Sequence, residues 1–194
     1  MQSLQRVLHL GDMEKILRWF LPVAILLSAM SCSKENDGRV RYEFDAEWAE
    51  AYYYGTDVRS GVDCYQLDLA QGRTGEDLDL ISSGAVVRLL ISAPAAGGID
   101  LPDGLYQGSA HREDAYTFNY GTLQDDKSVA GSFVGLRVNN GSGTQILPID
   151  RGKVSVKVSG DGHYEVRAEV TAATKPVRFV YRGTIRTLDC TEPD

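Results

Sequence analysis

Residues 152–185 read GKVSVKVSGDGHYEVRAEVTAATKPVRFVYRGTI, and this stretch decides the fold class. Val154, Val156 and Val158 alternate with Ser155 and Lys157. A period of two with apolar residues on one side is the pattern of a half-buried strand. Ser159-Gly160-Asp161-Gly162 supplies a turn, and Tyr164, Val166, Ala168 and Val170 then alternate with Glu165, Arg167 and Glu169. A glycine-rich turn between two alternating runs predicts a hairpin. Thr174-Lys175-Pro176 turns the chain again, and Val177, Phe179, Tyr181, Gly183 and Ile185 form a third run, with Arg178, Arg182 and Arg186 on its other side. The prediction is an antiparallel three-stranded meander. Its exposed face should carry charge pairs among Lys157, Glu165, Arg167, Glu169, Arg178 and Arg182.

The same alternation runs through the rest of the chain. Val40, Tyr42, Phe44, Ala46 and Trp48 are separated by Arg41, Glu43, Asp45 and Glu47. Tyr65, Leu67 and Leu69 mark another strand, and Val87, Leu89 and Ile91 lie in a stretch apolar enough on both sides to be central. Leu101-Pro102-Asp103 turns into a strand at Gly104, and 115–120 and 133–138 continue the pattern. Asp45–Tyr54 has good helix formers, but three consecutive tyrosines suit a strand better. No amphipathic helix is visible after residue 38. The expected fold is therefore all-β: a single antiparallel β-sandwich or flattened β-barrel of roughly eight to ten strands.

Residues 1–31 read differently. Lys15 and Arg18 precede a short apolar run, Trp19–Met30, that ends in small residues and Cys32. This is the layout of a signal peptide, and the run is too short to cross a bilayer comfortably. Met13 offers a compact second start. Ala29-Met30-Ser31-Cys32 resembles the looser lipoboxes of Bacteroidetes, which implies lipidation of Cys32. The expected organisation is a signal peptide at 1–31, a lipidated flexible tether at 32–38 and an all-β domain at 39–194. Ser33-Lys34-Glu35-Asn36-Asp37-Gly38 resembles the export signal of Bacteroidetes surface lipoproteins. The expected location is the outer membrane, lipid-anchored, on the cell surface or the periplasmic face.

The whole chain carries a net charge of −7, and residues 32–194 hold 17 basic against 25 acidic groups. No basic cluster exists of the kind phosphate binding needs, which excludes nucleic acid as an expected partner. With Cys32 committed to lipid, Cys64 and Cys190 remain as an even pair that a disulfide could join outside the cytoplasm; two free thiols are the alternative.

Four elements carry a family resemblance: Tyr53-Tyr54-Gly55, the Leu-Pro-x-Gly-x-Tyr segment Leu101–Tyr106, Gly152–Val156, and Tyr181–Ile185. Together they resemble uncharacterised lipoproteins of gut Bacteroidetes. The shared motifs are structural, and the resemblance implies no catalytic residues.

Chemistry is sparse. His111 and His163 read as loop and turn residues, and no serine lies in a nucleophile elbow. Glu76-Asp77-Leu78-Asp79 lacks the spacing of a calcium loop and reads as a solvated loop. Asn140-Gly141-Ser142 matches a glycosylation sequon that carries little weight in a bacterial lipoprotein. No metal or cofactor is expected. The functional lead is aromatic: Trp48, Tyr52, Tyr54, Tyr116, Phe118 and Tyr120 lie in two segments. Flat rings with polar edges can stack on sugars or anchor a protein partner, and strand packing is the competing use. Alternation sends Tyr53 away from Tyr52 and Tyr54, whereas Tyr116, Phe118 and Tyr120 should share a face. The expectation is a non-enzymatic lipoprotein binding an extracellular glycan or protein. The alternatives are an accessory subunit of an outer-membrane complex, or a carrier of a small lipophilic ligand if the fold closes into a barrel.

Overall fold

The computed structural model describes residues 42–75, 78–111, 113–138, 143–160 and 162–191. Cys32, the signal peptide and the tether lie outside them, as do the sequon and Glu76-Asp77. The described residues form thirteen strands and no helix. They are β1 (Tyr42–Asp45), β2 (Trp48–Thr56), β3 (Val62–Gln71), β4 (Gly84–Pro94), β5 (Gly104–Ser109), β6 (Thr117–Asn119), β7 (Thr122–Leu123), β8 (Val129–Ala130), β9 (Phe133–Arg137), β10 (Gln145–Val158), β11 (His163–Ala172), β12 (Lys175–Thr184) and β13 (Arg186–Asp189).

The predicted meander is β10–β11–β12, antiparallel throughout, with Val154↔Ala168↔Phe179 and Lys153↔Glu169↔Arg178 in register. Its second turn falls one step earlier than the sequence suggests. Ala173 and Thr174 adopt left-handed backbone (φ 47° and 72°), and Lys175 and Pro176 already belong to β12.

Eleven strands make one sheet in the order β1-β12-β11-β10-β5-β6-β4-β3-β2-β13, and β9 pairs with both β10 and β4. β10, β5, β6, β4 and β9 thus close a small mixed barrel, with six strands outside it in two wings. One wing is β11-β12-β1 and the other β3-β2-β13. The all-β expectation holds. Two of its details are corrected: the strands are more numerous, and three pairings are parallel, namely β1–β12, β2–β13 and β5–β6. The extra strands are short pieces of two or three residues, too brief to show a period.

Inward residues of both wings meet in one core. Leu67 and Leu69 of β3, Leu89 and Ile91 of β4, Val166 and Ala168 of β11, and Phe179 of β12 all lie within it. Phe44 packs on Phe179 at 5.1 Å between ring centres, and Tyr53 packs on Tyr65 at 5.1 Å. The barrel closes over a glycine seam. A Cβ on Gly121 would lie 2.1 Å from the Ser132 carbonyl oxygen and 2.9 Å from Pro148 Cα, so only glycine fits there. Ser132 spans the same seam: its hydroxyl accepts from Leu90 N on β4 and its carbonyl from Ile149 N on β10.

The first and last strands cross between the wings together. Ala46 N donates to Val180 O, but Glu47 N donates to Ala70 O, so the chain changes partner within one residue. This shift inverts the alternation. Tyr42, Phe44 and Ala46 face the core, and beyond the crossing Ala49, Ala51 and Tyr53 do so. Trp48 is turned to the other side of the sheet, away from the face that its spacing from Tyr42 and Phe44 predicts.

Candidate functional site

The inverted phase places Trp48, Glu50, Tyr52 and Tyr54 on the outer face of the β2–β3–β4 wing. Alternate residues of a strand share a side about 6.6 Å apart, so Tyr52 and Tyr54 stand as neighbours and Trp48 lies about 13 Å from Tyr52. The register extends the rows across the wing: Trp48↔Ala70↔Val86, Glu50↔Asp68↔Arg88 and Tyr52↔Gln66↔Leu90. At the Trp48 end, the chain between β3 and β4 folds Leu78 and Leu80 onto Ala70 and Val86, flanked by Trp48 and Phe133. This second small core leaves the tyrosine end open, and Tyr54 is 52% exposed. A bulge at Gly55 (φ 87°) interrupts the β2–β3 register just beyond Tyr54.

The middle row is polar and recessed. Asp68 is only 1% exposed. Arg88 Nε donates to its Oδ1 and Arg88 Nη2 to its Oδ2, each at 2.9 Å, and Gln66 Nε2 donates to Oδ2 at 2.9 Å. The Arg88 guanidinium also lies 5.6 Å from the Phe133 ring centre. Burial pushes the Asp68 carboxyl above the usual range, against the pull of the paired arginine. Burial works against the Arg88 charge as well, but Asp68 outweighs it and Arg88 is held above its ordinary value. Tyr52 donates to Glu50 Oε2 at 2.7 Å; burial first, then this carboxylate, raise its phenol. Tyr54 is raised by burial and then by the neighbouring Cys190 thiol.

These side chains frame two adjoining cavities. One, of about 600 Å³, lies among Trp48, Tyr52, Tyr54, Thr74, Gly75 and Leu78 over a floor of Gln66, Asp68 and Arg88. The other, of about 530 Å³, shares Tyr54 and Gln66 with it and continues over Leu90 and Ser92 towards Asn119. The arrangement can stack on a flat ring and hydrogen-bond to its substituents from the Gln66 amide and from the Arg88 guanidinium that Asp68 holds in place. Among the described residues, no group of three or more His, Cys, Asp or Glu side chains is placed to hold a metal ion. Nor is any helix among them long and apolar enough to cross a membrane.

The two aromatic segments part company. Trp48, Tyr52 and Tyr54 come together on the outer face, with Tyr53 directed to the core as its position requires. Tyr116, Phe118 and Tyr120 form no such patch. Phe118 is wholly buried, Tyr120 meets it edge-on at 6.4 Å, and Tyr116, with φ 60°, lies outside β6 against Tyr106 at 5.8 Å. Their rings occupy the space a Cβ would take on Gly104 and Gly108 of β5, which gives all three packing contacts, with Tyr116 still 46% exposed. Cys64 and Cys190 are not joined by a disulfide. Cys64 is in β3, and Cys190 follows β13 with its N–H on Tyr53 O, so β2 runs between them. Two inter-strand spacings separate their backbones by about 9.6 Å, beyond the reach of a disulfide. His111 and His163 are both exposed, at a loop and at the start of β11.

Asp68 and Arg88 were not singled out from the sequence. A signal existed: Arg88 is the one charged residue in Ala85-Val-Val-Arg-Leu-Leu-Ile-Ser92, and a lone charge in a central strand needs a buried partner.

Compared with protein-family models, curated proteins and solved structures, the chain matches none.

Proposed function

We propose that this chain is a non-enzymatic cell-envelope lipoprotein, tethered through Cys32, that binds an extracellular glycan on the outer face of the β2–β3–β4 wing. One observation carries the binding reading: the row Trp48, Tyr52 and Tyr54 stands over a recessed polar floor whose Asp68–Arg88 pair is already locked by three hydrogen bonds. Preorganised polar groups beneath aromatic walls suit a ligand with flat apolar faces and many hydroxyls. A protein partner would find a flatter and more apolar centre easier to fill.

For the architecture we favour the flattened barrel over the sandwich, because β1–β2 and β12–β13 carry strand pairing from one wing to the other. Barrel closure does not support carriage of a lipophilic cargo. An eight-stranded barrel holds its own side chains or at most one small ligand, and this ring has only five strands. An accessory role by strand addition also gains little support: the terminal strands β1 and β13 are four residues long, and short edges invite little pairing.

Two experiments test the reading. Metabolic labelling with a fatty-acid analogue should mark the wild type and not Cys32→Ala, and protease shaving of intact cells reports display. A glycan-array screen with the full chain should give binding that Tyr52→Ala/Tyr54→Ala abolishes. Binding that survives the double substitution would remove this face from consideration.

A further inference from the structure

Asn119, the last residue of β6, follows Phe118, which pairs with Ile91, and so comes opposite Leu90 on the outer face. It is 8% exposed, and its side-chain Oδ1 is buried with no hydrogen-bond partner. A buried amide oxygen without a donor is costly, and native structures keep few of them. The residue lines two cavities. One is the 530 Å³ cavity that begins at Tyr54 and Gln66, and the other is a cavity of about 460 Å³ beside Gly121 and Gly131. Asn119 therefore stands at the inner end of a path that begins at the aromatic row, its oxygen just beneath the surface.

The path has a length and a charge. From Trp48 to Tyr54 it runs six residues along β2, about 20 Å, and from β2 across β3 and β4 to β6 it spans three strand spacings, about 14 Å. That is longer than any single sugar ring. Asp68 and Arg88 neutralise each other, which leaves Glu50, Asp57 and Glu113 against Arg59 along the two cavities. An excess of carboxylates repels an anionic chain.

We infer that the face takes an elongated neutral oligosaccharide, with Trp48 and Tyr52 holding one end and Asn119 accepting a hydrogen bond from a hydroxyl at the other. This rests on the reading of the β2–β3–β4 face as a glycan site and adds its length, its charge class and its inner anchor.

The test is calorimetric titration of the full-length lipidated protein in detergent. The probes are neutral gluco-, manno- and xylo-oligosaccharides, from single sugars to hexamers, and oligogalacturonates of matching length. Affinity should climb with chain length, and the galacturonates should bind at least about tenfold more weakly. Asn119→Leu should weaken the longest chains about tenfold and leave short ones unchanged, because only long chains reach the amide. Nitrogen-15 spectra of the wild type give a readout that no substitution can confound: the Asn119 side-chain amide signals should move with hexamers and not with single sugars. If hexamers bind, depend on Trp48 and Tyr52, and yet ignore Asn119→Leu and leave its amide signals still, the inner anchor is overturned and the glycan face stands. Galacturonates binding as tightly as neutral chains would overturn the charge class. If no chain of any length binds, the glycan face and its extension fall together.

Discussion

The two wings share one core and differ entirely on their outer faces. On β10–β11–β12–β1 the outward row Lys153, Glu169, Arg178 and Glu43 alternates in charge, with contacts of 3.3 Å between Lys153 and Glu169 and 3.6 Å between Arg178 and Glu43. Two rows further on, Glu165 meets both Arg167 and Arg182. These side chains are partly to largely solvated, and exposed ion pairs contribute little. On β2–β3–β4 the equivalent layer holds aromatic rings, a buried carboxylate and a second apolar cluster. A face that only has to be soluble needs charge and nothing else. Burying Asp68 carries a desolvation cost that a solvated charge layer does not, and that contrast supports the binding reading proposed for this face.

The sharpest way to break the comparison is to remove Asp68. Asp68→Ala leaves Arg88 partly buried and uncompensated, and should cost about 4 kcal/mol in urea unfolding. Replacing both partners, as Asp68→Leu/Arg88→Met, should restore most of that loss; if it does not, the pair is more than a matched burial of charge. Leu80→Ala comes next. Leu80 is wholly buried on the outer side of the sheet. Its loss should cost about 3 kcal/mol, whereas a value near zero would mean the second cluster is no core at all.

A smaller effect is expected in alkali. The Tyr52 phenol is raised in the folded state by burial and then by Glu50, so above the ordinary tyrosine range near pH 10 the unfolded chain releases its proton first. The folded state then holds more protons, and stability falls as pH rises beyond about 10, with no contribution from this group below it. Tyr52→Phe should shallow that decline in a pH series of thermal midpoints. The outward layer of the charged wing supplies no comparable group. Least of all should happen with Lys153→Ala, which removes one solvated pair and should move stability by no more than about 0.5 kcal/mol.

The contrast also explains what could be read in advance. Within the strands of Val154–Tyr181 apolar and polar residues alternate almost throughout, because one side meets the core and the other water; strands and register follow from it, and so do the pairs of Glu165 with Arg167 and Arg182. In β3 and β4 both sides are partly buried, so Gln66, Asp68 and Arg88 carry no period that marks them as a set. Their meeting depends on register between strands some twenty residues apart. Trp48, Tyr52 and Tyr54 were legible as a set through strand alternation, but the side they face was not: the slip at Ala46-Glu47 turns all three away from the face of Tyr42 and Phe44. Tyr116, Phe118 and Tyr120 misled for a related reason. Their spacing is that of a strand face, but β6 is three residues long and the face it offers is the core.

The parallel ladder that joins β1 to β12 and β2 to β13 has a consequence in time. Tyr42 pairs with Val177 and Tyr53 with Asp189, so β1 finds its strand partner, and β2 its second one after β3, among nearly the last residues described. Contacts this distant in sequence close late, since the entropy of a long loop must be met before the pairing gives anything back. A chain emerging from its N-terminus therefore holds Tyr42 and Phe44 uncovered until residues 177–180 arrive, whereas Tyr53 already meets Tyr65 across the local β2–β3 pair. The meander β10–β11–β12 contains only local pairings and can assemble early, as a template onto which the oldest segment of the chain is laid last.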